Sequence, residues 1–123
     1  MSNSPTVLFG LVPLVRAVVR SATNATTTTI TPDDSGTLFV SMSTSAHNYA
    51  LPAVADGAGK CFMFFQAGTT AQAVTITSTA NNIIGGDTTA DVATSGSVIG
   101  DCCMIIGDGT YYYLFAFTAW TVA

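Results

Sequence analysis

The amino-acid sequence predicts an all-β domain, and three observations carry that prediction. All seven acidic residues are Asp and none is Glu, in a chain with eleven glycines, a bias that favours turns over helices. Twenty threonines supply β-branched side chains that suit a pleated surface and leave a hydroxyl for its wet face. Short apolar runs recur between Gly, Pro and Asp punctuation, the spacing expected of a β-sandwich or jelly roll of about eight short antiparallel strands rather than of βαβ units.

At 123 residues the chain is sized for one domain with one core. Charged residues make up 8%, against about a quarter in ordinary soluble domains, while apolar residues reach 49% and the mean hydropathy is +0.50. So little charge implies that other chains cover much of the surface. Arg16 and Arg20 give the first 23 residues a positive balance, and seven Asp against Lys60 make the remainder acidic, for a net charge of −4. With that balance, a pI near 4.2 and Lys60 as the single Lys or Arg beyond the arm, too little positive charge is left to neutralise a phosphate backbone, so no nucleic-acid partner is expected.

Residues 1–23 read as an extended N-terminal arm, and residues 24–123 as a single β-sandwich domain. Pro5, Gly10 and Pro13 prevent a long helix, leaving Val7, Leu8, Phe9, Leu11, Val12 and Leu14 extended; residues 15–20 fit a short helical turn or a strand. The opening MSNSP lacks the basic residues of a secretory leader, and the apolar run broken by Pro13 and Arg16 is too short to span a membrane. The expectation is a soluble chain made in a cytoplasm.

Strands follow at residues 26–31, 37–42, 49–51, 60–67 and 73–79. A tight turn at Pro32-Asp33-Asp34-Ser35-Gly36 separates the first two, and residues 43–48 read as polar loop. Residues 81–100 give the weakest pattern, with Ile83-Ile84 and Val98-Ile99 as apolar anchors. The strongest local signal is the hairpin over residues 101–120, where Gly107-Asp108-Gly109-Thr110 forms a loop in which Gly109 takes positive φ. Its second strand is apolar on both faces, as is the strand over residues 60–67. A strand of that kind needs cover on both sides, so Phe62, Phe64, Tyr111, Tyr113, Phe115 and Phe117 are assigned to core or subunit interface.

No catalytic constellation emerges. Cys61, Cys102 and Cys103 match no zinc spacing, because adjacent strand residues point to opposite faces, and they read as buried thiols. His47, the single histidine, sits among Ser and Thr without a nucleophile motif and reads as an exposed or interface loop imidazole. Asp33-Asp34 and Asp87 with Asp91 fit turn chemistry better than calcium ligation. No cofactor, metal, membrane or small-molecule substrate is expected, and no enzymatic activity.

The order of features carries a resemblance: Ile30-Thr31-Pro32-Asp33-Asp34-Ser35-Gly36-Thr37-Leu38-Phe39, then Tyr49-Ala50-Leu51-Pro52, Gly59-Lys60-Cys61-Phe62-Met63-Phe64, Val74-Thr75-Ile76, Asn82-Ile83-Ile84-Gly85-Gly86 and Ile106-Gly107-Asp108-Gly109-Thr110-Tyr111-Tyr112. Over residues 25–117 this resembles the small β-sandwich domains of tailed-phage capsid decoration (cement) proteins and related phage fibre modules. The resemblance implies a homotrimer on the outer surface of a virion, at threefold or quasi-threefold positions, with the major capsid protein as partner. The arm residues Val7, Leu8, Phe9, Leu11, Val12, Leu14, Arg16 and Arg20 would then contact the capsid or neighbouring subunits. The alternative is a receptor- or carbohydrate-binding module of a phage head or tail fibre, which an exposed Tyr or Trp on a groove would favour.

Overall fold

The computed structural model describes residues 15–68 and 72–123, and these form twelve strands in two sheets. In chain order they are β1 Ala17–Arg20, β2 Thr27–Thr29, β3 Thr37–Ser41, β4 His47–Ala50, β5 Cys61–Gln66, β6 Val74–Thr77, β7 Ile83–Gly85, β8 Thr88–Ala90, β9 Val92–Ser95, β10 Cys102–Gly107, β11 Tyr112–Ala116 and β12 Trp120–Val122. Sheet A has the order β1-β3-β5-β10-β11-β7-β8 and sheet B the order β12-β9-β6-β4-β2. The chain is all-β, as the Asp, Gly and Thr bias predicts.

The way the strands are joined differs from a uniformly antiparallel arrangement. The first six strands alternate between the sheets, and each pairs in parallel with the strand two before it: β1 with β3 and β3 with β5 in sheet A, β2 with β4 and β4 with β6 in sheet B. Each pass of the chain therefore adds one strand to each sheet, as in a short β-solenoid. The winding then ends. β10 pairs antiparallel with β5 and β9 antiparallel with β6, while β11 and β12 extend the two sheets and the β7–β8 hairpin completes sheet A. A polar turn between two apolar runs has the same composition whether it returns the chain within one sheet or carries it across to the other. Pairing direction is consequently decided by tertiary packing.

Two boundaries also shift. Residues 17–20, placed in the arm by sequence, form β1 and pair with β3 from Ala17 opposite Thr37 to Arg20 opposite Val40, so the sheet begins before residue 24. The arm residues Val7, Leu8, Phe9, Leu11, Val12 and Leu14 lie outside the described residues. The stretch read as polar loop ends in β4, which starts at His47 and points that ring inward. In the 81–100 segment Ile83 is a core residue, but Val98 and Ile99 are exposed rather than anchoring.

Strand alternation builds the core. Phe39 on β3, Phe62 and Phe64 on β5, Cys103 and Ile105 on β10 and Tyr112 on β11 face inward from sheet A, against Tyr49 on β4, Val74 and Ile76 on β6 and Ala93 on β9 from sheet B. The ring of Tyr49 lies 5.5 Å from Phe39 and 5.2 Å from Phe64, joining the sheets through aromatic contacts. Tyr112 crosses the core to donate its hydroxyl to the Pro52 carbonyl at 2.7 Å. Gly57 has to lack a side chain, because a Cβ there would run into the Tyr112 hydroxyl.

Candidate interaction surface

The turn chemistry read from sequence organises the edge of this surface. In the β10–β11 loop Gly109 has φ +93°, and the Asp108 carboxylate accepts the N–H groups of Thr110 and Tyr111 at 2.8 and 2.7 Å. Its other oxygen accepts the Tyr113 hydroxyl at 2.6 Å. The Tyr113 bond, followed by the two N–H bonds, holds the Asp108 carboxyl below its ordinary value and raises the Tyr113 phenol above its own.

Tyr113 opens onto the outer face of sheet A, where strand register aligns apolar side chains in rows. One row runs Val18, Leu38, Met63, Met104, Phe115 across five strands. On one side of it lie Cys61, Ile106, Tyr113 and Ile84, and on the other Arg20, Val40, Phe65 and Cys102. Arg20, at the β1 edge, is the single charged side chain in these rows. Exposure reaches 38% at Phe65, 47% at Phe115 and 66% at Phe117, just past the end of β11. Five strands at about 4.8 Å spacing and about five residues at 3.3 Å rise give a face of roughly 400 Å². That is the size of the largest apolar patch of an ordinary monomer, about 300–600 Å², a patch that is often functional.

The sequence-assigned aromatics therefore separate into two groups. Phe62 and Phe64 are buried core residues, whereas Phe115 and Phe117 are exposed, Tyr111 is 37% exposed and Tyr113 is half-buried. Tyr111 and Tyr113 are neighbours, with ring centroids 6.5 Å apart. Met63, Phe65, Met104 and Ile106 complete the outer face. Their signal in the sequence was the lack of polar residues at alternate positions of β5 and β10. Arg16 and Arg20 are both exposed, and the Arg16 guanidinium reaches the Asp33 carbonyl at 3.5 Å.

His47 is placed differently from its sequence reading. It is 1% exposed, its Nδ1 hydrogen-bonded to the Ser41 hydroxyl and its Nε2 to the Thr28 hydroxyl, each at 2.8 Å, with the Tyr49 ring 4.3 Å away. Burial lowers its pKa from 6.5. Ser41 is as deeply buried, and the third member is a threonine rather than a carboxylate, so the arrangement satisfies polar groups inside the fold and presents no nucleophile to solvent. The Tyr49 hydroxyl lies beside Ser41 without a hydrogen bond of ordinary geometry. Burial pushes that phenol up to about 12, only partly offset by Ser41.

Cys61 and Cys103 are buried and their thiols are pushed up by desolvation, while Cys102 is half-buried on the outer face. Asp34 uses its carboxylate on the Thr31 N–H at 2.8 Å, closing the predicted turn at Pro32–Asp34. Comparison with protein-family models, curated sequences and solved structures yields no match.

Proposed function

We propose that this chain is a structural virion protein that decorates an icosahedral phage capsid as a homotrimer. The observation that supports this reading is the outer face of sheet A, an unbroken apolar surface on a chain with 8% charged residues. A second copy is the partner whose chemistry fits: the face has almost no charge to select a charged ligand, and Tyr, Phe and Met are the side chains enriched at subunit contacts. The two-sheet, one-core architecture is compatible with the small β-sandwich domains that the sequence resembles, although its first half winds like a solenoid.

In this reading sheet A packs between copies, and residues 1–14 with Arg16 and Arg20 meet the major capsid protein. Cementing then follows from mass action: a trimer that binds the expanded shell more tightly than its precursor stabilises that state in proportion to the difference. Three arms engaged together add avidity. Exposed arginines would contribute little unless desolvated by the partner.

Sedimentation equilibrium of the purified chain tests the assembly. The expected mass is that of three 12.6 kDa subunits, and a monomer at high concentration overturns the proposal. Removing residues 1–14, which spares β1, should leave the trimer intact and abolish cosedimentation with expanded heads that lack the protein. Retained binding by the shortened chain would remove the arm from the mechanism.

A further inference from the structure

A cleft of about 390 Å³ lies where the β7–β8 hairpin, β11 and β12 meet, at the end of the sheets opposite β1 and β2. Its volume falls within the range of small-ligand sites, about 300–1,000 Å³. The apolar part of its wall comes from Leu114, Trp120 and Val122, and the polar part from Asp87 and Thr88. The backbone of Gly85 and Gly86 completes it, and at Gly86, with φ +58°, a Cβ would meet open space.

We propose that this cleft binds a neutral sugar unit. Trp120 donates its indole N–H to the Cys102 carbonyl at 3.1 Å, so its orientation is held from below and it offers ring carbons rather than a donor to a ligand. A rigid indole complements the apolar C–H face of a pyranose. The side chains of Asp87 and Thr88 have no hydrogen-bond partner among the described residues, and both are exposed. Together they supply a carboxylate acceptor and a hydroxyl that both donates and accepts, the mixture that vicinal sugar hydroxyls require. Neither Arg nor Lys lines the cleft and Asp87 carries negative charge, so an anionic sugar is disfavoured. A quaternary ammonium would leave the Thr88 hydroxyl unused and find one aromatic ring rather than a cage. This surface is separate from the outer face of sheet A, so sugar binding and subunit assembly stand or fall independently.

Trp120 is the only tryptophan, so its emission reports on the cleft directly. The full chain is titrated with the methyl glycosides of glucose, galactose, mannose and N-acetylglucosamine up to about 50 mM, with glucuronate and choline as charged comparators. At least one neutral glycoside should change the emission saturably, with half-saturation on the order of 1 mM, and glucuronate should not. Asp87→Asn and Thr88→Ala alter exposed side chains and should each weaken the response at least about threefold, with far-UV circular dichroism unchanged. Nuclear magnetic resonance should locate the shifts at the Gly86 amide and the Trp120 indole N–H. Absence of any saturable response, a response to choline stronger than to every glycoside, or a response untouched by both substitutions would each overturn the proposal.

Discussion

The two sheets share one core but turn different chemistry outward. Across sheet B the outward row facing solvent runs Thr27, Asn48, Thr75, Thr94, Thr121, and beside it Thr29, Ala50, Thr77, Val92. Side chains in these rows bond one another: Thr75 donates to the Asn48 carbonyl oxygen at 2.9 Å, and the Asn48 amide donates to Thr77 at 3.2 Å. Sheet A replaces that polar ladder with Val18, Leu38, Met63, Met104 and Phe115. Sheets with one wet face alternate apolar and polar residues along each strand, and β6 at the centre of sheet B does so. The central strands of sheet A do not. One outer face is polar and finished by water; the other is apolar, and the proposed assembly would cover it with a second copy.

The inner face, common to both sheets, should give the largest effect. Phe64→Ala removes a buried ring that stacks with Phe39 and touches Tyr49, and should cost about 3–5 kcal/mol in urea unfolding. A loss below about 1 kcal/mol would mean that the sheets do not share this core. Next comes the outer face of sheet A. Replacing Met104 and Phe115 together by Ser should raise the subunit dissociation constant at least 100-fold, about 2.7 kcal/mol, measured by sedimentation. Unchanged assembly would place the contact elsewhere.

A smaller effect separates the polar interior from both outer faces. Because burial lowers the pKa of His47, the unfolded chain takes up a proton more readily than the folded one. The stability associated with neutral His47 is complete above about pH 6.5 and is lost as pH falls from there toward the folded value. The urea midpoint should drop between pH 7.5 and 5, and His47→Gln should flatten that dependence. Asp108 does not enter this window, since its pKa is lowered from 3.8. The smallest expected change is on the sheet B ladder. Thr75→Val keeps the β-branched shape, loses one hydrogen bond and should cost about 0.5–1 kcal/mol without altering assembly. A change in oligomer mass from this substitution would mean that sheet B, too, is an interface.

Several features were legible in the chain because they are local. The Pro32–Asp34 turn, the β10–β11 hairpin with Gly109 at positive φ, the inward alternation of Val74 and Ile76, and the double-sided apolarity of β5 all follow from residues within one or two turns of each other. The inference that apolar surface exceeds what one core holds also came from composition and pattern. His47 was misread for the opposite reason. Its surroundings in sequence are Ser, Thr, Ala and Asn, yet its ring is satisfied by Ser41 across the β3–β4 connection and by Thr28 from another coil.

The sequence by itself determined that this chain is built of short strands, where most of its turns fall, and that β5 and the last hairpin are apolar on both faces. Tertiary structure alone decided that the first six strands stack in parallel, that Phe62 and Phe64 turn inward while Phe65, Phe115 and Phe117 turn out, and that Trp120 meets Asp87 at a cleft. Strand formation and turn geometry depend on neighbours along the chain. Parallel pairing and the choice of inner face depend on which distant segment offers complementary surface.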